Sequence, residues 1–269
     1  MKPCWPTVNN QTGEIFKMTR FTALLIAGLM LVPAPVMAAG DAPKPPAIDW
    51  SFSGPFGAFD RAELQRGFQV YKQVCAACHS MDLVYYRNLT ALGYSEDQVK
   101  SAAAEYSVMD GPNDEGEMFE RPARPSDRFK APYDNEEAAK YANNGALPPD
   151  LSLMAKARAN GPDYIHGILT GYEEPPADVE LLSGQYYNKY MAGHIIAMAP
   201  PLSDGIVAYE GEAPQTVDQY ARDVTAFLSW AAEPELEVRK QTGIKAIVFL
   251  IVFAGIMYGV KRKLWAKLH

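Results

Sequence analysis

The sequence has few residues from which a disulfide framework or a multi-ligand metal site could be built. It contains 3 cysteines and 4 histidines in 269 residues, and Cys4 stands in a leader that we predict is removed. The remaining cysteines, Cys75 and Cys78, are too few for a disulfide-rich scaffold, and no second cysteine pair completes a four-ligand zinc site.

Internal repeats and strand-rich patterns are also missing, whereas helical patterns are present. Asp60 and Glu63 form a capping pattern ahead of apolar residues at helical spacing that lead into Cys75. Thr216 and Gln219 form a second capping pattern, followed by one apolar face and a stop at a proline. The predicted fold class is mostly α.

Two shorter helices are predicted between these patterns, at residues 135–143 and 150–159, separated by a turn with two prolines. Residues 111–132 are rich in proline, glycine and charge and show little periodicity. We expect this segment to be a long surface excursion.

Basic residues are scarce in the middle of the chain. Residues 40–239 hold 31 acidic and 16 basic residues, a net charge of −15, although the whole chain carries only −7. The sequence therefore predicts an acidic soluble body between two basic ends.

The first basic end is typical of an export signal. Met18 and Arg20 precede the apolar residues 21–32, and residues 36–38 have the small-residue pattern of a signal peptidase site. We predict a leader at residues 1–38, with translation starting at Met18 as an option. The alternative, an uncleaved anchor, is disfavoured because the run is short and prolines follow it.

The second basic end predicts a membrane anchor. Residues 244–260 are nearly all apolar, and three consecutive cations follow at residues 261–263. Because positive residues are retained on the cytoplasmic side, we predict a periplasmic body at residues 39–240 of a bacterial inner-membrane protein. Residues 241–269 then form a single-pass anchor with a cytoplasmic C-terminus. A buried core helix is the alternative, and it fits poorly with a terminal run flanked by cations.

Cys75, Cys78 and His79 form the C-x-x-C-H sequence of covalent haem attachment. Two thioethers fix the porphyrin, and the histidine after the second cysteine ligates the iron, which predicts one haem c. A thioredoxin-like pair would need a βαβ context, and a plain disulfide across two residues would be strained and leave His79 unexplained.

The second axial ligand is less clearly marked. Met198 lies in an apolar segment closed by two prolines, which predicts a stiff loop able to present a thioether. His194, His166 and Met191 are the other candidates, since histidine and methionine are both common axial ligands.

Four segments together resemble the cytochrome c1 family: residues 66–74, 143–152, 198–201 and 230–234. The resemblance covers the whole mature chain and implies a c-type haem domain with long surface loops and one C-terminal transmembrane helix.

By that resemblance Met198 is the sixth ligand, Arg158 faces a haem propionate, and Tyr164 is its neighbour. Glu173 stands where several relatives have a cysteine, so any disulfide that staples their ligand loop is impossible here.

The resemblance also implies a function in a respiratory or photosynthetic quinol to cytochrome c oxidoreductase. The chain would sit beside cytochrome b, take one electron from the Rieske iron-sulfur protein and pass it to cytochrome c, without breaking bonds of its own. Alternatives are a stand-alone tethered cytochrome that feeds a terminal oxidase and, in a different class, a thiol-disulfide oxidoreductase that uses Cys75 and Cys78.

Overall fold

The structure, a computed structural model, describes residues 43–266. The predicted leader, Cys4 and the candidate start at Met18 lie outside the described residues and stay predictions. The described part is mostly helical, as predicted, with these α-helices: α1 Arg61–Gln73, α2 Glu96–Ala104, α3 Glu136–Ala142, α4 Met154–Ala157, α5 Gly161–Thr170, α6 Val217–Ala232 and α7 Leu236–Trp265.

Two predicted capping residues begin the two helices that form the centre of the fold. The Asp60 carboxylate accepts from the backbone N–H of Ala62 at 2.8 Å, and Thr216 Oγ1 accepts from Gln219 N at 3.4 Å. The reciprocal half of each box is not formed, because Glu63 accepts instead from the Ser51 hydroxyl at 3.3 Å. The Gln219 amide likewise bonds elsewhere, to a carboxylate one turn further along α6.

Helices α1 and α6 pack backbone against backbone. A Cβ placed on Gly67 would lie 2.0 Å from the carbonyl oxygen of Asp223, so only glycine permits this crossing. Next to it, Arg66 donates to both carboxylate oxygens of Asp223 at 2.9 and 2.8 Å, and Asp223 is fully buried. The bidentate pair satisfies a charge that would otherwise be costly to bury.

An aromatic cluster fills the space beside this crossing. The Phe227 ring lies 5.7 Å from each of the rings of Phe68, Tyr71 and Trp230. Phe129 joins the cluster 5.9 Å from Tyr71. Because α1 supplies two of these rings, its C-terminal end, which leads into the cysteines, is fixed to the core.

The long excursion was predicted only in part. Strand β1, Ser107–Asp110, pairs antiparallel with β2, Phe119–Pro122, and residues 111–120 are exposed between and along them. The chain then returns to the core at Ala123 and Phe129, both buried.

A second antiparallel pair, β3 at Tyr186–Tyr187 and β4 at Ile195–Ile196, precedes the segment that contains Met198.

The predicted helix at 150–159 is wrong in extent, because only α4 forms there. Asp150 uses its side chain to bind a distant loop and does not begin a helix. Helices α2 and α5 were not predicted, and α5 carries Tyr164 and His166.

Helix α7 is a single helix of 30 residues, long and apolar enough to cross a membrane. At about 1.5 Å per residue it is about 45 Å long. It begins eight residues before the predicted apolar run at 244–260, and the predicted division at residue 240 falls inside it. The assignment of residues 39–240 and 241–269 as separate regions stays a prediction.

Candidate haem-binding site

The two cysteines and His79 lie on one tight turn at the end of α1. Cys75–Ala77 form a single 3₁₀ turn, in which the carbonyl of Cys75 accepts from Cys78 N at 3.1 Å and from His79 N at 2.9 Å. Both cysteines are free, and Cys75 packs against the hydrophobic core. The turn therefore brings two thiols and an imidazole together at the surface of the aromatic cluster.

The His79 ring is held in one tautomer by a residue 70 positions away in the chain. Its Nδ1 lies 2.8 Å from the carbonyl oxygen of Pro149. Because a carbonyl only accepts, Nδ1 carries the proton and donates, which leaves the lone pair of Nε2 available to a metal. Burial lowers the pKa of His79, so the ring stays neutral, as a ligand must be.

The loop that supplies Pro149 is fastened to the residues after His79. Leu151 N donates to Ser80 O at 2.9 Å, and the Leu83 N–H donates to the Ser152 hydroxyl at 3.0 Å. We call residues 149–152 the clasp segment, and its contact with residues 80–83 the seam.

The Asp150 carboxylate accepts three hydrogen bonds within the seam. The donors are the Ser80 hydroxyl at 2.9 Å, Asp82 N at 2.7 Å and Ser152 N at 2.8 Å. Burial acts to raise the pKa of Asp150, but these bonds outweigh it and the pKa is lowered. An ionised Asp150 therefore locks the clasp segment, and with it the carbonyl that orients His79.

The state of Cys75 separates the two uses of a C-x-x-C sequence. Burial, assisted by the neighbouring Cys78, raises the pKa of the Cys75 thiol to about 12. A thiol-disulfide enzyme needs a thiolate and a lowered pKa. The raised pKa weighs against redox exchange, whereas a thiol beside an imidazole with an available Nε2 fits covalent haem attachment.

Met198 lies in the segment that follows β4. Its side chain is half-buried, and its backbone carbonyl accepts from the Tyr172 hydroxyl at 3.0 Å. Burial raises the pKa of Tyr172, so the hydroxyl keeps its proton and the bond. Pro200 and Pro201 follow, and Leu202 is buried, so the segment is fixed at both ends.

Two of the other candidate ligands are engaged elsewhere. The Nε2 of His166 lies 3.0 Å from the Asp218 carboxylate, in a buried position between α5 and α6. The Met191 sulfur accepts from the Tyr164 hydroxyl at 3.6 Å. These contacts favour Met198 over both.

His194 is the remaining candidate. Its backbone is left-handed at φ 60°, its ring stacks on Tyr187 at 5.5 Å, and its buried Nδ1 has no hydrogen-bond partner within the described residues. Replacement of Met198 therefore distinguishes the two candidate ligands.

The roles of Arg158 as a propionate partner and of Tyr164 as its neighbour remain predictions from the family resemblance. Arg158 caps α4, is exposed, and makes one long contact at 3.5 Å with the Ala157 carbonyl, so its guanidinium is available to an anion. Tyr164 is half-buried on α5 and already bonds Met191.

Three functional contacts escaped the sequence analysis: the Pro149 carbonyl, the Asp150 carboxylate and the Tyr172 hydroxyl. Pro148, Pro149 and Asp150 predict a turn, but no local pattern predicts that this turn contacts His79 and the residues after it. Tyr172 carries no spacing signal at all.

An open cleft of about 480 Å³ lies beside the Met198 segment. Its lining includes Tyr172, Tyr187 and Pro200 together with the acidic pair Glu173 and Glu174. Glu173, at the position where relatives were expected to have a cysteine, pairs with the Lys189 ammonium at 3.5 Å.

Comparison with known proteins identifies the family. The model of the Cytochrome C1 family matches residues 50–268. The chain is 46% identical over 233 residues to "Cytochrome c1" of Rhodospirillum rubrum, covering 81% of this chain and 86% of that protein. It is 48% identical over 255 residues to "Cytochrome c1 1, heme protein, mitochondrial" of Arabidopsis thaliana, covering 93% and 83%.

A larger relative is "Cytochrome b/c1" of Bradyrhizobium diazoefficiens, 51% identical over 248 residues. The match covers 84% of this chain but only 36% of that protein, so this chain spans about a third of its length. The match of the family model over most of the sequence, together with these identities, shows that the chain belongs to the cytochrome c1 family.

Proposed function

We propose that the chain is the haem-carrying electron-transfer subunit of a cytochrome bc1 complex. The observation that carries the proposal is the His79 ring, fixed by the Pro149 carbonyl with Nε2 free to bind iron, on the same turn as Cys75 and Cys78. Haem c, when bound, supplies a one-electron iron couple.

Each part of the site has a separate task in this proposal. Cys75 and Cys78 hold the porphyrin covalently, and His79 and Met198 ligate the iron. Arg158 neutralises a propionate, where a guanidinium can make two parallel bonds. The chain itself breaks no bonds of a substrate and acts as a carrier.

The partners follow from the family and from the names of its members. One relative, of Candida albicans, is named a "Cytochrome b-c1 complex catalytic subunit, mitochondrial". In this chain we expect cytochrome b beside α7, the Rieske protein as electron donor and a cytochrome c as acceptor.

The charge pattern supports a periplasmic haem domain in a bacterial inner membrane. Residues 261–263 are all basic and end the apolar run of α7, which favours their retention in the cytoplasm. An export signal at residues 1–38, as the sequence predicts, would direct the N-terminal end of the mature chain to the periplasm.

A pyridine haemochrome spectrum of the denatured protein tests the covalent cofactor directly. We expect one haem c per chain that stays attached after acid and organic extraction, and none in a variant with Cys75 and Cys78 both changed to alanine. Extractable haem, or no haem, would overturn the assignment.

The place in the complex needs its own test. A tagged chain, solubilised in mild detergent, should bring down a b-type cytochrome and an iron-sulfur protein with quinol to cytochrome c reductase activity. A chain that purifies alone and reduces a terminal oxidase would instead be a stand-alone tethered cytochrome.

A further inference from the structure

A loop near the start of α7 exposes a large apolar side chain. Phe56 is 83% exposed, whereas Phe52 and Phe59 on either side of it are 7% and 6% exposed. The two buried rings lie 4.8 Å apart and belong to the core. We call residues 53–57 the Phe56 loop.

The Phe56 loop is tightly closed. Its entry turn is bonded from Ser53 N to the Trp50 carbonyl at 2.9 Å, and its exit from Ala58 N to the Ser51 carbonyl at 3.1 Å. A Cβ on Gly57 would meet the Ser53 carbonyl at 2.0 Å, so the two ends of the loop touch. Phe56 is therefore held out by an ordered turn.

This loop is bonded directly to the first turns of α7. The Lys240 ammonium donates to the carbonyls of Phe52, which precedes the loop, at 2.6 Å and of Gly57, its last residue, at 3.0 Å. One turn earlier, Glu237 accepts from Phe59 N at 2.9 Å and pairs with Arg61 at 2.9 Å.

The position of Lys240 along α7 sets the height of the loop relative to the apolar run. Lys240 precedes that run, residues 244–260, by four residues, which is about 6 Å of helix. The headgroup layer on each side of a bilayer is roughly 5–7 Å thick. Allowing for the length of the Lys240 side chain, the carbonyls that it binds lie within or immediately above the headgroup layer when α7 spans the membrane.

We propose that the Phe56 loop is a second membrane contact of this chain, with Phe56 seated at the boundary between lipid headgroups and acyl chains. The contact is continuous with α7, whose exposed apolar side chains run from Ile247 to Val260, nearer the bilayer interior. Aromatic side chains are enriched at lipid interfaces, and Phe56 is an exposed aromatic ring at this end of α7. The cations of the adjoining helical turn are already paired within the chain, Arg239 with Glu233 and Lys240 with the loop carbonyls, so the ring is the group that the loop offers to lipid.

Such a contact fixes the rotation of the haem domain about α7. With α7 as its only membrane contact, the haem domain could rotate about the helix axis. A second contact through the Phe56 loop prevents that rotation. The inference rests on the family membership and on α7 spanning the membrane, and it does not depend on which partners exchange electrons.

Site-directed spin labelling tests the depth of the loop in the haem-loaded, full-length chain. The chain carrying Phe56→Cys is labelled after maturation and reconstituted into vesicles of phosphatidylcholine and phosphatidylglycerol. Collision rates with oxygen and with a water-soluble nickel chelate are then measured. The wild-type chain, treated in the same way, reports any labelling of Cys75 or Cys78.

Two matched positions calibrate the result. Tyr141→Cys, 92% exposed on α3, reports a wet surface, and Phe253→Cys, 50% exposed in the middle of α7, reports the bilayer interior. We expect the label at position 56 to collide several-fold less with nickel than the label at 141, and more than the label at 253.

Three results would overturn the proposal. The first is a label at 56 as accessible to nickel as the label at 141, while 253 is immersed. The second is a wet label at 253, which refutes the span as well as the loop. The third is an immobile label that neither reagent reaches in the purified complex, since a neighbouring subunit then covers the loop.

Phe56→Trp, which preserves an aromatic ring, provides an independent readout. Brominated lipids should quench its added fluorescence, measured as the difference from wild type. An unquenched difference signal would contradict a lipid contact.

Discussion

Replacing Asp150 with alanine tests the clasp segment that orients His79. The change removes the acceptor of three hydrogen bonds, from the Ser80 hydroxyl and from the backbone N–H groups of Asp82 and Ser152. It leaves both cysteines, His79 and the Pro149 carbonyl chemically intact. Its effect therefore reports what the seam contributes to holding the ligand.

The loss of stability depends on which of the three donors can form a hydrogen bond to water after the substitution. A hydrogen bond to a charged group contributes about 1.5–3 kcal/mol, and leaving a buried donor unpaired costs about 1–3 kcal/mol. Asp82 is exposed, so water replaces its bond, but Ser152 is fully buried and its N–H stays unpaired. We expect a loss of about 2–4 kcal/mol in the free energy of unfolding.

Guanidinium denaturation of the haem-loaded protein in detergent measures this loss, followed by far-UV circular dichroism and by the haem Soret band. Asp82→Asn is the matched control, because it removes a neighbouring charge whose side chain makes no bond in the seam. It should change the unfolding free energy by less than about 0.5 kcal/mol, as ordinary surface substitutions do.

Acidification should imitate the substitution in the wild-type protein. Because the folded pKa of Asp150 is lowered, its stabilisation is complete above the ordinary aspartate pKa of about 3.9 and is lost as the pH falls below it. Asp150→Ala should lack that part of the acid dependence. Wild-type stability in Asp150→Ala, or an unchanged acid profile, would refute the role of the clasp.

Four further changes test other parts of the site. Met198→Ala should retain covalent haem but lower the reduction potential and admit carbon monoxide; an unchanged potential in redox titration would reject this ligand and favour the nearby histidine. Arg158→Gln should lower the potential or loosen the haem, and a wild-type titration would make it a plain surface charge. Changing both Gly255 and Gly259 to leucine should weaken co-purification with cytochrome b, since among residues 43–266 nothing beyond the surrounding helix backbone lies within 4 Å of either Cβ position; intact assembly would exclude a contact there. Neutralising the acidic pair at 173–174 should slow stopped-flow electron transfer to a cationic cytochrome c and flatten its salt dependence between 0.1 and 1 M, where the Debye length falls from ~10 to ~3 Å; a flat wild-type profile would mean that the charge serves solubility.

Local signals predicted where three of the helices begin. Asp60, Asn135 and Thr216 each cap a helix through their own side chain, because that bond is made within three residues. Helix α5 escaped because two glycines and a proline in ten residues dilute its apolar pattern. One of them, Gly167, is required by packing, since a Cβ there would lie 2.9 Å from Pro45.

Spacing in the sequence predicted the part of the site whose residues are neighbours, and the family resemblance added Met198, Arg158 and Tyr164. Cys75, Cys78 and His79 share one turn, so their spacing already states their chemistry. The Pro149 carbonyl reaches His79 across 70 residues, and Tyr172 reaches Met198 across 26, and no composition or periodicity records such pairs. The family resemblance supplied the segments around them, but not the bonds they make.

The crossing of α1 and α6 has a consequence for the order in which the chain becomes structured. Arg66 and Asp223 are 157 residues apart, and closing a loop of that length costs about 4–5 kcal/mol of chain entropy before any contact compensates it. A domain whose central helix pair is formed by segments so far apart in sequence folds slowly. Because a chain is made from its N-terminus, the turn with both thiols emerges long before α6, the helix that packs on α1, and both thiols stay accessible until that helix is available.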